Sequence, residues 1–213
     1  MRYTKEHKLR TRGRIVERAS LALREEGADG VSVAALMDLA GLTHGGFYAH
    51  FESREALVVE AVLMAMDQTM SRWLQLIETT PVADRFNAIV DTYINAQDRD
   101  NRGRGCPLPA LGADIARSSE KARRAFAQKL QEMIEVMRRQ LPNLSARHAR
   151  RIATAAIATM TGTIVLSRAS GERELSDYIL EAGRQAARLQ SVARISHVVK
   201  TNAGSRGGKK NRT

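Results

Sequence analysis

Along almost the whole of this 213-residue chain the apolar side chains recur every three or four positions, and no stretch alternates apolar with polar as a half-buried strand would. That single period confines the chain to an all-α fold. Ile15, Ala19, Ala22 and Leu23 mark a first helix with Gly27 as its stop, and Ser32 caps a short second one whose Leu36, Leu39 and Ala40 share a face. Thr43 offers a cap to a third helix of about two turns, too short to be stable alone. Ser53 opens a fourth, with Glu55 at the positive end of its dipole and Leu57, Ala61, Met64 and Met70 on one side out to about Ile77. Pro81 starts the next, lined by Phe86, Ile89, Val90, Tyr93 and Ile94. The polar run "DRDNRGRG", residues 98–105, reads as a loop, and Pro107 and Pro109 open another helix. Ala122, Phe126, Leu130, Met133, Met137 and Leu141 form a seam on a further one. Residues 145–169 and about 174–192, parted by Gly171, bring the count to about nine.

One segment sits awkwardly in that pattern: "GLTHGGFYAHFESREAL", residues 41–57. Two adjacent glycines cost a helix roughly 1 kcal/mol each relative to alanine. The second and third helices fit a helix-turn-helix. Leu36, Ala40, Leu42 and Phe47 are apolar where two crossing helices must pack, and Gly41 suits the turn. In such a unit the N-terminal residues of the second helix approach base edges in the major groove. Bare backbone at Gly45 and Gly46 permits close approach, flanked by hydrogen-bonding groups on Thr43 and His44. Phe47 and Phe51 anchor the opposite face, leaving Tyr48 and His50 beside the phosphates.

Charge points to the same partner. Residues 1–24 carry +6 from eight basic and two acidic residues, residues 194–213 carry +6 from six basic ones, and the 169 between them carry −1, giving a net charge of +11. A neutral body with two cationic ends suits a polyanion, most economically nucleic acid, while for the tail a charge that merely keeps the protein soluble is an equal reading. The first fourteen residues are basic rather than apolar, unlike a signal peptide. "IATAAIATMTGTIVL", residues 152–166, is shorter than the roughly 20 residues of a membrane span and reads as a helix buried in protein. One cysteine, Cys106, excludes an internal disulfide and a cysteine metal cage. No cofactor, metal or membrane partner is expected, and the natural placement is cytoplasmic.

The register of Ser32-Val33, Leu36, Ala40-Gly41-Leu42-Thr43, Phe47-Tyr48-x-His50-Phe51 and Ser53-Arg54-Glu55-x-Leu57 resembles the DNA-binding domain of the TetR/AcrR family of bacterial transcriptional regulators, over residues from about 11 to 58. The resemblance implies a helix-turn-helix domain for double-stranded DNA at 1–52 and a helical effector-binding and dimerisation domain at 53–193; the basic tail at 194–213 is expected to be disordered from its Gly- and Lys-rich composition. It implies a homodimer, usually a repressor, that binds a palindromic operator and is released when a small molecule enters the second domain. Carried over by position, His44, Gly45 and Gly46 fall among the base-reading residues, and Ser32, Thr43, Tyr48, His50 and Arg54 among the phosphate contacts. Arg54 stands where lysine is common, Met37 where a small residue is usual, and Ala34 where some members place an arginine.

For the effector pocket the candidates are Met66, Met70, Trp73, Phe86, Tyr93, Cys106, Met133, Met137 and Met160, a set suited to varied apolar molecules. The last two helices, rich in alanine, glycine and threonine, suit a four-helix dimer interface. Cys106 precedes Pro107 and neighbours Arg102 and Arg104, a setting expected to lower its pKa and open it to electrophiles. Two alternatives stand beside the regulator. One is a non-specific basic DNA coater; the other is an enzyme pairing Cys106 with His148 or His197, for which no catalytic motif is present.

Overall fold

The computed structural model describes residues 5–192, and all regular structure among them is helical. In order these are α1 (Lys5–Glu26), α2 (Val33–Leu39), α3 (Arg54–Thr79), α4 (Arg85–Tyr93), α5 (Ala96–Asp100), α6 (Leu108–Ala116), α7 (Glu120–Arg138), α8 (Ala146–Ala169) and α9 (Arg173–Val192). Two 3-10 turns lie at His44–Ala49 and Arg102–Arg104. The basic segment 194–213 and His197 lie outside the described residues.

Of the three expected caps the two serines form and Thr43 does not. Ser32 Oγ accepts from Ala35 N at 3.1 Å, and Ser53 Oγ accepts from Ala56 N at 3.1 Å. Gly41, at φ 71°, makes the turn after α2 in a conformation that a side chain would strain. Two expectations differ. On α2 the inward face is Leu36, Met37 and Ala40, while Leu39 is 52% exposed; Met37 fills the space that Leu39 was expected to fill. Residues 98–105 are not an open loop. Asn95 Oδ1 accepts from Asp98 N at 2.8 Å and starts α5, and the buried Arg99 bonds Ser176 Oγ at 3.0 Å and Asp177 Oδ1 at 2.5 Å on α9. A polar run reads as solvated in a sequence; here its arginine is a tether.

Helix α3 belongs to both halves of the molecule. Its Leu57, Val58 and Ala61 are buried near α1, and its Met66, Met70 and Trp73 are buried further along, where α4 and α7 pack. One apolar core therefore runs from Ile15 to Ala187 across residues 52 and 53. Helix α8 is long and apolar enough to cross a bilayer by length and composition, yet it buries Ile152, Ala156, Ile157, Met160 and Ile164 against neighbouring helices. It is a core helix, as its threonines and glycine suggest.

The tightest helix contact is between α8 and α9. A Cβ built at Gly183 would lie 2.0 Å from Thr163 Oγ1, whereas one at Gly112 on α6 would meet nothing within 4 Å. Gly183→Leu should therefore destabilise the protein by about 1–3 kcal/mol in urea denaturation, through overpacking. Gly112→Ala should stabilise it by up to about 1 kcal/mol, through helix propensity.

Candidate nucleic-acid interface

Residues 41–51 form a short, exposed projection. The expected third helix is a 3-10 turn, and Thr43 stands at its start without a side-chain cap bond. Gly46 N reaches Thr43 O at 3.0 Å and His50 N reaches Phe47 O at 2.9 Å, the i to i+3 closure of that tighter helix. Glycine favours neither helix strongly, and an uncapped start leaves little to hold the wider form.

Phe47 and Phe51 anchor the turn. Both are buried, and their rings stack with centroids 5.6 Å apart. Arg12 lies over Phe51 with its guanidinium carbon 4.3 Å from the ring centroid, and it also donates to His50 O and pairs with Glu60. The other face is open. Thr43, His44, Gly45 and Tyr48 are exposed, Tyr48 at 74%. Neither glycine has a positive φ. A Cβ at Gly45 would meet nothing within 4 Å, and one at Gly46 would sit 3.7 Å from Met37 Cε, an ordinary contact. Among the described residues nothing excludes side chains at these two positions.

The other candidates divide. Ser32 Oγ already accepts the capping bond of α2. Arg54 is turned inward: Nη2 donates to Val31 O at 3.1 Å and to Ala28 O, fixing the segment before α2. His50 is half-buried with Nδ1 unpartnered, and burial, then Lys8 and Arg12, lower its pKa. It opens on a cleft of about 360 Å³ lined by Lys5, Lys8, Thr11, Arg14, Leu42 and Ala49 among others. Charge counting had marked Lys5, Lys8 and Arg14 only as a basic end. Their spacing along one side of α1 toward the 3-10 turn is the signal that could have singled them out.

The nine effector candidates, Met66, Met70, Trp73, Phe86, Tyr93, Cys106, Met133, Met137 and Met160, are all buried in the common core. Cys106 departs from expectation. Burial pushes its thiol up, outweighing the opposing influence of Tyr93, the Leu108 N–H, Thr69 and Arg72. The helix N-terminus is present, but desolvation dominates. Nor does the fold join Cys106 to a base: His148 is exposed at the start of α8, its Nδ1 3.1 Å from Ser145 Oγ.

A helix-turn-helix head carried on a helical body defines a class of regulatory protein, and comparison with known proteins agrees. Residues 15–61 match the family described as bacterial regulatory proteins, tetR family, and residues 82–182 match the transcriptional regulator LmrA/YxaF-like C-terminal domain. The chain belongs to the TetR family of bacterial transcriptional regulators, a family of regulators rather than enzymes. It is 36% identical over 69 residues to the HTH-type transcriptional regulator TtgR of Pseudomonas putida; the match covers 32% of this chain and 32% of TtgR, about a third of that relative's length. Its fold is similar to that of a TetR transcriptional regulator from Chloroflexus aurantiacus, with a TM-score of 0.69 at 23% identity, covering 84% of this chain and 95% of the other. It is also similar to the regulator FadR of Bacillus subtilis, solved in complex with stearoyl-CoA, with a TM-score of 0.60 at 16% identity, covering 80% and 96%.

Because the folded head holds His50 less basic than its ordinary 6.5, the unfolded chain takes up the proton first as pH falls. The His50 contribution to stability is thus intact above about 6.5 and is lost progressively below it. Melting temperature followed from pH 7.5 to 5.5 should fall less steeply in His50→Gln than in the parent protein.

Proposed function

We propose that the chain is a homodimeric transcriptional repressor that sets the 3-10 turns of its two heads into successive major grooves of a palindromic operator and leaves when a small molecule occupies its helical body. The observation that carries this reading is the bare backbone of exposed Gly45 and half-buried Gly46: the described residues leave room for side chains there, so two adjacent glycines fit close approach by a surface outside the chain. In this reading Thr43 and His44 supply the hydrogen-bonding groups nearest the bases, while Tyr48, His50 and Ser32 face the phosphates. Arg54 acts indirectly by holding the segment before α2, and the cleft of Lys5, Lys8 and Arg14 takes a further phosphate. The protein works in the cytoplasm, where such DNA lies.

The dimer reading rests on exposed apolar surface. Val165 and Leu166 on α8 and Leu175 and Tyr178 on α9 are 40%, 59%, 44% and 71% exposed. They continue a stripe of Ala158, Gly162 and Ala182 on the same two helices. Two copies of this face would form the four-helix contact around a two-fold axis. Effector control draws on the family, on the methionine- and aromatic-rich core, and on FadR, whose structure contains stearoyl-CoA.

Selection of bound duplexes from random sequence tests the whole reading. An inverted repeat should emerge; enrichment of no motif, with every fragment bound at a steep salt slope, would mark a non-specific coater instead. Gly45→Val should weaken binding to the selected duplex at least about tenfold while leaving the melting temperature unchanged, since its new methyl groups meet DNA and not protein. Leu166→Glu should convert the dimer to a monomer in analytical ultracentrifugation and abolish cooperative protection of both half-sites, because a buried unpaired carboxylate disfavours the interface.

A further inference from the structure

The segment from Ile94 to Gly105 is held by arginines of four different helices, each donating to its backbone carbonyls. Arg24 of α1 reaches Gly105 O at 2.8 Å, Arg72 of α3 reaches Arg104 O at 2.6 Å, Arg168 of α8 reaches Asp98 O at 2.7 Å, and Arg184 of α9 reaches Ile94 O at 3.1 Å. At its two ends stand Tyr93 and Cys106, which meet in the core. Tyr93 is 3% exposed, and its Oη lies beside the Thr161 hydroxyl of α8 and the Cys106 thiol; among the described residues neither hydroxyl completes a well-formed hydrogen bond. The one nearby hydroxyl that is satisfied, Thr69, gives its hydrogen to Ala65 O at 2.9 Å.

Burial keeps the Tyr93 phenol and the Cys106 thiol protonated, so three X–H groups converge chiefly on one another. Arg72 acts on Cys106 and Arg168 on Tyr93, and the Asp98 carboxylate faces both arginines. Buried hydroxyls without partners are rare in folded proteins and call for an explanation, such as a bound group that completes them. Around them the core offers Trp73, whose ring centroid is 6.3 Å from that of Tyr93, and several methionines, side chains that repack readily.

We propose that Tyr93, Thr161 and Cys106 form the polar end of the effector site and bind an acceptor oxygen, a carbonyl or a carboxylate, on an otherwise apolar molecule that displaces methionine side chains of the core. This rests on the reading of the protein as an effector-controlled regulator. It also gives the effector a route to the head. A molecule wedged between Tyr93 and Cys106 spreads the ends of the Ile94–Gly105 segment, and Arg24 passes the movement of Gly105 to α1.

Trp73 is the only tryptophan in the chain and reports on the site by its emission. The full-length protein is titrated with matched pairs: 4-tert-butylcyclohexanone against its methylene analogue, and 4-tert-butylbenzoate against 4-tert-butyltoluene, extended to larger ketones and carboxylates with their hydrocarbon isosteres. At least one oxygenated member should shift Trp73 emission saturably with a Kd about tenfold or more below that of its isostere. Tyr93→Phe and Thr161→Val should each erase most of that preference. Without ligand, Tyr93→Phe should melt at the same or a higher temperature, since it removes an unpaired hydroxyl; a structural hydroxyl would instead make it melt lower. The proposal is overturned if no oxygenated member perturbs Trp73, if the preference survives in Tyr93→Phe, or if that variant is clearly less stable. Duplex binding is measured in parallel: intact binding with a silent panel overturns this site alone, whereas the regulator reading falls only if no duplex is bound.

Discussion

Arg24 has almost no surface in water and, among the described residues, no carboxylate in ion-pair contact with it. Burial, followed by the nearby Arg72, lowers its pKa to about 10, so it stays charged at neutral pH. A buried cation of this kind persists only if its donors are satisfied. Three oxygens from three elements give each of its nitrogens one partner: Ser20 O on its own helix, Gly105 O on the segment after α5, and Gln68 Oε1 on α3. The carboxylate of Glu25 adds a bond from Gly103 N at 2.7 Å. The charge thereby fixes where the DNA-reading head meets the body. Withdrawing any of these oxygens would leave part of a guanidinium dry and unpaired, so the head has a defined seat rather than a hinge free to wander.

From that seat the projection of residues 41–51 follows. Arg12 stacks on Phe51 and binds His50 O, Phe47 stacks on Phe51, and Arg54 holds the carbonyls at the start of α2. The turn presented to solvent is too short and too rich in glycine to hold itself, and each anchor lies on its inner side. Rigidity is supplied from within and bareness is kept outside, the division that close approach to a groove requires.

Much of this was legible in the sequence because helical period and capping are local physics. Ser32, Gly41, Ser53 and Gly171 lie in the order of the elements and mark their ends, and the buried seams followed from spacing alone. What was illegible depended on burial. Arg99 and Arg24 look like surface arginines until the chain folds over them, and "DRDNRGRG" looks like a loop for the same reason. Leu39 and Met37 are both apolar on a two-turn helix, so which one points inward is decided by the neighbouring turn. Cys106 was misjudged on charge: its arginine neighbours and helix start were visible, whereas the desolvation that outweighs them belongs to the tertiary structure. The exposed residues of the projection were legible as a group, but Arg54 turning inward and the cleft beneath His50 were not.

The contact between Gly183 and Thr163 leaves no slack between the last two long helices. Because a single added carbon would collide there, the pair is interlocked and resists rotating or sliding against itself. It acts as a fixed plate on which the remaining helices are mounted. In the proposed dimer, tilting of α3 and α1 relative to that plate would set the separation of the two heads by lever length, with small displacements near the plate magnified at the tips.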